Sequence, residues 1–131
     1  MEVVPFESVG ELRFGDTQAA VRQRLSSAFT TFRKGKSRSE TDAFHDLGLH
    51  VYYDDSGVVE FIEAFDPADI TIQGVHFLGR DVNDVVSDMK RRGYESQEGD
   101  GDPDFTSAGI ALTVSEEMVE GVAVYKTGYY D

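Results

Sequence analysis

The chain of 131 residues contains no cysteine and no tryptophan, and only three prolines. Without cysteine it forms no disulfide, no thiolate metal site and no cysteine nucleophile. It also has no stretch approaching the roughly 20 apolar residues that a membrane-spanning helix needs. Its N-terminus carries neither the basic segment nor the apolar run of a signal peptide. These absences predict a cytoplasmic protein with no membrane association.

Basic side chains are scarce as well, with 12 lysines and arginines against 25 acidic residues and a net charge of −13. This balance disfavours nucleic acid as a partner, because a duplex binder neutralises phosphates with basic side chains. The excess of acidic residues is unevenly distributed along the chain. Residues 1–38 hold seven bases and four acids, whereas residues 39–131 hold five bases and 21 acids. The acidic part is either a solvated surface or a face for a basic partner.

A 40% hydrophobic and 11% aromatic content is too high for a disordered acidic tail and indicates a folded domain. Asp16 or Thr17 is a typical N-cap, and the apolar spacing after it predicts a helix over 17–26. Residues rich in β-branched and aromatic types predict strands at 28–33 and 41–45. Alternating residues around a turn at 54–57 predict a hairpin with strands 49–54 and 58–65.

The same order of elements then recurs. A strand is predicted at 70–72, followed by a helix from residue 82 that ends in three basic residues and Gly93. A polar loop over 95–104 leads to a short strand at Phe105. A second hairpin is predicted with strands 109–114 and 119–125.

These two halves predict an internal duplication with units at about 10–66 and 74–128. Matching positions are 61 residues apart in the hairpins, as in Gly48 and Gly109, and 64 apart around the helices, as in Gly15 and Gly79. The predicted fold class is α+β, with each unit reading α-β-β-β-β. Units this small cannot bury enough surface alone, so we expect them to share one core and one curved antiparallel sheet, with the helices on one face. A chance likeness between two amphipathic segments is the alternative.

The helix starts carry a family resemblance, seen in the segment 12–17 with Val21 and Leu25, and again in the second unit. One such unit resembles the outer-membrane assembly lipoprotein family BamE/SmpA. A tandem pair is similar to the β-lactamase inhibitor proteins of actinomycetes. The resemblance implies a sheet whose exposed face binds another protein. The chain lacks the cysteines of both families, so export, anchoring and β-lactamase binding are not carried over.

Motifs for catalysis or for cofactors and metals are missing from the sequence. Segment 98–104 resembles the start of a calcium loop, but an EF-hand would require glycine and glutamate where the chain has Phe105 and Ala111. No nucleophile elbow, Walker A sequence or Gly-x-Gly-x-x-Gly occurs. His45, His50 and His76 have no zinc-site spacing, and His50 is expected on the face of its strand opposite Leu49, Val51 and Tyr53. We therefore predict no catalytic residues, no metal site and no cofactor.

The first hairpin combines aromatic and acidic residues, and it is the predicted partner-binding site. Tyrosine offers rigid contact area with a polar tip, and carboxylates pair with Arg or Lys of a partner. The residues predicted to bind are Tyr52, Asp54, Asp55, Glu60 and Glu63. The alternative is that the tyrosines cover the sheet and the acids face water.

We expect a non-enzymatic binding module, in particular a bacterial immunity-type inhibitor that neutralises a basic, nuclease-like toxin. One alternative is a small ligand-binding or enzymatic α+β domain with a pocket between the repeats that holds His50 or His76. Another is a subunit of an intracellular assembly.

Overall fold

The computed structural model describes residues 1–97 and 101–130. These residues form two α-helices, α1 (Gln18–Leu25) and α2 (Val82–Arg91), and twelve β-strands. The strands of the first half are β1 (Val3–Val4), β2 (Ser8–Val9), β3 (Leu12–Arg13), β4 (Thr30–Phe32), β5 (Thr41–Phe44), β6 (Leu49–Tyr53) and β7 (Val59–Phe65). Those of the second half are β8 (Thr71–Ile72), β9 (Val75–His76), β10 (Asp104–Phe105), β11 (Ile110–Ser115) and β12 (Met118–Tyr125). The predicted α+β class with antiparallel pairing is confirmed.

Side-chain caps fix where both helices begin. The hydroxyl of Thr17 accepts a hydrogen bond of 3.2 Å from the backbone N–H three residues on, which identifies Thr17 as the N-cap. The carboxylate of Asp81 accepts one of 2.8 Å from the N–H two residues on. Inside the helices Val21, Val85 and Met89 are buried. The helices thus start as predicted and turn one apolar stripe toward the core.

Seven strands form one antiparallel sheet in the order β10-β11-β12-β7-β6-β5-β4. The two predicted hairpins, β6–β7 and β11–β12, stand side by side in it. They are joined because β7 pairs with β12 over five residues, from Phe65 opposite Gly121 to Phe61 opposite Tyr125. The sheet is therefore continuous from one half of the chain to the other.

The N-terminal segment holds structure that the sequence pattern did not predict. Strands β1 to β3 form a three-stranded sheet, and β9 pairs with β8. Val3, Val9 and Leu12 are buried. Strands of two residues are too short to show an alternating pattern; they pair with near neighbours along the chain, and a contact with a distant segment adds to this pairing. One such contact is the hydrogen bond of 3.0 Å from the amide of Thr71 to the carbonyl of Met1.

A single hydrophobic cluster joins the helices to one face of the large sheet. It contains Val21 of α1 and Val85 of α2 together with Leu49 and Val51 of β6 and Val124 of β12. Alternate residues of these strands point the other way, because side chains alternate along a strand. One face of the sheet thus carries the core, and the other face is available for other contacts.

The strand before each hairpin ends in the same local structure. A short 3₁₀ helix, His45–Leu47 in the first half and Thr106–Ala108 in the second, is followed by a glycine. Gly48 and Gly109 adopt left-handed backbone with φ of 68° and 67°. Their carbonyls accept hydrogen bonds of 2.7 and 3.0 Å from the last residue of the hairpin's return strand. Each 3₁₀ turn is thereby fastened to its hairpin.

The start of each helix is tied to its hairpin in the same way. The amide of Gly15 donates to the carbonyl of Val59 at 3.0 Å, and the amide of Gly79 donates to that of Val119 at 2.9 Å. The residue after each glycine returns the bond, since its carbonyl accepts at 2.9 Å from the amide of Val59 or Val119. Helix and sheet are thus joined by backbone hydrogen bonds in both halves.

Candidate protein-binding face

Five side chains on β6 and β7 lie on the side of the sheet opposite the core, and we call this side of the hairpin the aromatic face. Four of the five are partly exposed, whereas Phe61 is only 6% exposed. The ring centroids of His50 and Phe65 are 5.1 Å apart, and those of Tyr52 and Phe61 are 5.4 Å apart with nearly perpendicular planes. Glu63 lies opposite His50 in the strand pairing. The alternation of β6 places His50 and Tyr52 here, as predicted. The residues of the aromatic face are His50, Tyr52, Phe61, Glu63 and Phe65.

A β-bulge sets which residues of β7 reach this face. Tyr52 pairs with Phe61, whereas Tyr53 pairs with Val59, so Glu60 is an extra residue with no partner opposite it. The bulge lets Val59 point into the core while Phe61 points to the aromatic face. Burial raises the pKa of the Glu60 carboxyl above its ordinary value.

Glu63 is the acidic centre of the aromatic face. The hydroxyl of Tyr52 donates a hydrogen bond to Glu63 Oε1, and His50 Nδ1 lies 3.7 Å from the same oxygen. Burial and this hydrogen bond raise the pKa of Tyr52 above its ordinary value. The side chain of Glu63 nevertheless stays 32% exposed. The carboxylate is thus held in one position while it remains open to a partner.

A cation from this chain already rests on the aromatic face. Lys34 Nζ lies 4.8 Å from the ring centroid of Tyr52 and 5.3 Å from that of Phe61. Such distances are those of a cation–π interaction. Phe32 of edge strand β4 extends the aromatic surface, with its ring centroid 5.5 Å from that of His50, and it is 40% exposed.

The C-terminal residues bring more aromatic rings beside this face. The ring of Tyr129 packs on Phe61 at a centroid distance of 4.8 Å. A cleft of about 510 Å³ lies next to it. We call this cleft the tyrosine cleft. Its aromatic and acidic lining residues are Phe6, Asp104, Tyr125, Tyr129 and Tyr130.

The predicted partner-binding residues do not form one cluster. Tyr52 and Glu63 meet on the aromatic face, but Asp54 and Asp55 lie in the hairpin turn. Asp54 Oδ1 accepts hydrogen bonds of 2.8 and 3.3 Å from two backbone amides of that turn, and Asp54 Oδ2 is 3.9 Å from Lys126 Nζ. Asp54 therefore stabilises the turn, as an Asx residue does, and Asp55 is exposed beside it.

Two of the histidines are neighbours and the third lies apart, since the ring centroids of His45 and His50 are 6.2 Å from each other. His50 belongs to the aromatic face, His45 Nε2 lies 3.2 Å from Thr30 Oγ1, and His76 pairs at 2.9 Å with the exposed Asp69. Within residues 1–97 and 101–130, no three His, Asp or Glu side chains are grouped so that they could hold a metal ion. Part of the calcium-like segment, residues 98–100, lies outside the described residues.

A cleft of about 660 Å³ lies between the two halves of the chain. Phe65 and Asp66 line it from one half, and Gly79, Met118 and Glu120 line it from the other. The described residues that line this cleft include no histidine. The enzymatic alternative expects His50 or His76 in a pocket between the two halves, and neither residue is among the described residues that line this cleft.

The sequence pattern missed a buried charged cluster beneath the sheet edge. Asp42 is fully buried and accepts hydrogen bonds of 3.0 and 2.8 Å from the guanidinium of Arg22 and one of 2.9 Å from the hydroxyl of Tyr53. The hydrogen bonds that Arg22 donates to Asp42 raise the pKa of the Arg22 guanidinium. Burial raises the pKa of Tyr53, and the hydrogen bond to Asp42 adds to that effect. The signal in the sequence is weak: an acidic residue that precedes Ala43 and Phe44 on a predicted strand.

Among the helices in the described part of the chain, none is both long and apolar enough to span a membrane. No protein-family model matches the sequence, and no curated protein or solved structure matches it either. The function is therefore inferred from the geometry of the aromatic face and from the charge of the chain.

Proposed function

We propose that the protein is a binding module whose aromatic face docks on a basic protein partner. The observation that carries this proposal is the fixed carboxylate of Glu63 in the middle of an aromatic surface. Interface hot spots are rich in aromatic residues, because rigid rings bury large areas at low entropic cost. A carboxylate held among them can pair with an arginine or lysine of the partner.

The charge distribution supports a basic partner. Residues 39–131, which contain the whole hairpin β6–β7, carry 21 acids and five bases. Such an excess speeds encounter with a positively charged protein and repels nucleic acid. Lys34 on the rings of Tyr52 and Phe61 shows in addition that an amine fits this surface.

Within this class, an immunity-type inhibitor of a basic, nuclease-like toxin fits best. A nuclease cleft is lined by cations that bind phosphates. An acidic, aromatic sheet face could cover that cleft and exclude the substrate. The contacts would then be the same as those proposed above, with an arginine or lysine of the toxin at Glu63.

We also propose that the chain arose by duplication of one α-β-β-β-β unit. The matched 3₁₀ turns ending at Gly48 and Gly109 support this proposal. The matched hydrogen bonds from Gly15 and Gly79 to the hairpins support it as well. Under this proposal the pairing of β7 with β12 is the seam between the two units.

The test of the binding function is capture from the native host with the full chain as bait, followed by isothermal titration of the purified partner. We expect a protein of high isoelectric point whose affinity falls as salt rises. Glu63→Gln should weaken binding about tenfold, and Tyr52→Ala about thirtyfold or more. If the partner is a nuclease, the wild-type chain should also inhibit its activity.

Two matched variants make this test specific. Glu116→Gln removes the same charge from an exposed turn residue and should leave the affinity unchanged. Tyr52→Phe keeps the ring but removes the hydroxyl that holds Glu63, so its affinity should lie between that of the wild type and that of Tyr52→Ala. An acidic partner, or equal affinities for Glu63→Gln and Glu116→Gln, would refute the proposal.

A further inference from the structure

The tyrosine cleft is lined by aromatic rings, several of which pack edge to face on one another, and one of them, Tyr130, is 66% exposed. The rings of Tyr125 and Tyr129 are inclined to each other by 33°. The ring of Tyr130 stands nearly perpendicular to both, at 83° and 89°, with centroid distances of 4.8 and 4.9 Å. Phe6 approaches Tyr125 from another side at 6.5 Å. Three ring planes thus meet around one cleft of about 510 Å³.

One carboxylate belongs to the same cleft. Asp104 lines it and is half-buried, and neither a hydrogen bond nor an ion pair to its carboxylate is formed by the residues that the structure describes. Burial raises the pKa of Asp104, and the charge of Asp102 adds to this effect. The described lining residues include no lysine or arginine. A bound cation would therefore meet a negative charge that no described basic side chain neutralises.

The aromatic rings and the carboxylate of the cleft together favour a cation as its ligand. The faces of aromatic rings are negative and attract cations, most strongly where water is excluded. A bare metal ion would need several oxygen ligands, and the described residues that line this cleft supply one carboxylate. An alkylammonium group suits the cleft better, because its methyl or methylene groups contact the rings while its charge faces the acid.

The aromatic face beside the cleft already binds an ammonium group of this same chain. The ammonium of Lys34 lies on Tyr52 and Phe61 at cation–π distances, and Phe61 is in turn packed against Tyr129 of the cleft. The same aromatic system thus already holds one primary ammonium group a single ring away from the cleft.

We infer that the tyrosine cleft is a binding site for an alkylammonium cation, with Tyr125, Tyr129 and Tyr130 as its aromatic walls and Asp104 as its counter-ion. The cation is either a lysine side chain of another protein or a small quaternary amine. The inference concerns a site beside the aromatic face and stands whether or not that face binds a basic protein.

The test is an NMR titration of the full chain with choline and with 3,3-dimethylbutan-1-ol, its neutral carbon analogue. Choline should shift the resonances of Tyr129 and Tyr130, and the neutral alcohol should bind at least about tenfold more weakly. Nα-acetyl-lysine methylamide serves as the third ligand. Binding stronger than that of choline identifies a lysine as the preferred cation, and weaker binding identifies a quaternary amine.

Variants then locate the site. Asp104→Asn and Tyr130→Ala should each weaken choline binding about fivefold or more, whereas Glu116→Gln should have no effect. Far-UV circular dichroism and urea unfolding check that each variant is folded. If any variant is unfolded, the comparison of choline with its neutral analogue on the wild-type chain decides alone. Equal binding of those two compounds, or choline binding that Asp104→Asn leaves intact, would overturn the inference.

Discussion

At the scale of single residues, the buried carboxylate of Asp42 shows how one charge can determine local packing. The side chain has no exposed surface, yet it keeps its hydrogen bonds because Arg22 and Tyr53 both donate to it. Removing Asp42 would leave the hydroxyl of Tyr53 buried without its acceptor and would take the ion pair from Arg22, whose side chain is 33% exposed. The cluster ties helix α1 to strands β5 and β6.

Asp42→Ala is therefore expected to lower the free energy of unfolding by about 3 kcal/mol. The guanidinium of Arg22 and the hydroxyl of Tyr53 would lose their acceptor, and a small cavity would form. Urea unfolding followed by circular dichroism measures the change. Asp55→Ala, in the exposed turn, is the control and should stay within about 0.5 kcal/mol of the wild type. A loss below about 1 kcal/mol for Asp42→Ala would contradict the argument.

At the scale of elements, the joints between helices, turns and hairpins rely on glycines in left-handed backbone. Gly48 and Gly109 have almost the same φ, but their surroundings differ. A Cβ atom at Gly48 would lie 2.2 Å from the carbonyl oxygen of Phe65, and one at Gly109 would lie 2.8 Å from that of Tyr125. Gly35 is also left-handed, with φ of 59°, and has open space around it. A comparison of alanine variants at these three positions therefore distinguishes the cost of backbone strain from the cost of steric overlap.

Alanine substitutions at these glycines should destabilise the protein in the order Gly48, Gly109, Gly35. Gly35→Ala adds only the strain of a left-handed alanine, about 1 kcal/mol. Gly48→Ala must in addition push the end of β7 away and should cost at least about 2 kcal/mol more. Differential scanning calorimetry of the three variants gives the order. Equal losses at Gly48 and Gly35 would show that the turn moves freely away from β7.

The predictions for individual elements were confirmed where a periodic pattern of apolar residues runs over a long segment. The two helices and the two hairpins of five to eight residues per strand follow from alternation and helical spacing. The two-residue strands β1, β2, β3 and β9 carry no period and were not predicted. The bulge at Glu60 was not predicted either. It shifts the alternation of β7 by one residue, but apolar residues occupy both faces of this strand, so the shift does not stand out in the sequence.

At the scale of the whole molecule, tyrosines with raised pKa values dominate the alkaline behaviour. Burial raises the pKa of each of them above the ordinary value of 10.0, and hydrogen bonds or nearby acids add to the effect. The folded state thus keeps these phenol protons at a pH where the unfolded chain releases them. The residues concerned are Tyr52, Tyr53, Tyr125, Tyr129 and Tyr130.

The free energy of unfolding should consequently hold steady below about pH 9 and fall as pH rises through about 10. Above that pH the unfolded chain binds fewer protons than the folded chain, so the slope of stability against pH is negative. Urea unfolding at several values from about pH 8 to pH 11 measures this slope. Tyr52→Phe removes one of the groups and should make the fall shallower. A stability that rises with pH in this range would refute the assignment.

The candidate site was predictable only in part. Tyr52 and Glu63 lie on the two strands of the predicted hairpin, so the sequence places them near each other. Their common face depends in addition on the strand register and on the bulge at Glu60, which shifts the alternation of β7. Asp54 was expected to face a partner, but backbone amides two and four residues away bind its carboxylate within the turn. The approach of the C-terminal tyrosines to Phe61 depends on the pairing of β12 with β7, and nothing in the local sequence specifies that pairing.

The sequence by itself determined the class of elements, the helix starts, the two hairpins and the acidic character of the chain, because each depends on neighbours within a few residues or on composition. The absence of cysteine belongs to the same group, since it excludes whole chemistries without reference to a fold. The tertiary structure alone decided that Asp42 pairs with Arg22, that Phe61 meets Tyr129, and that three tyrosines line one cleft together with Asp104. Those contacts join residues distant along the chain, and only the packing of one shared core brings them together.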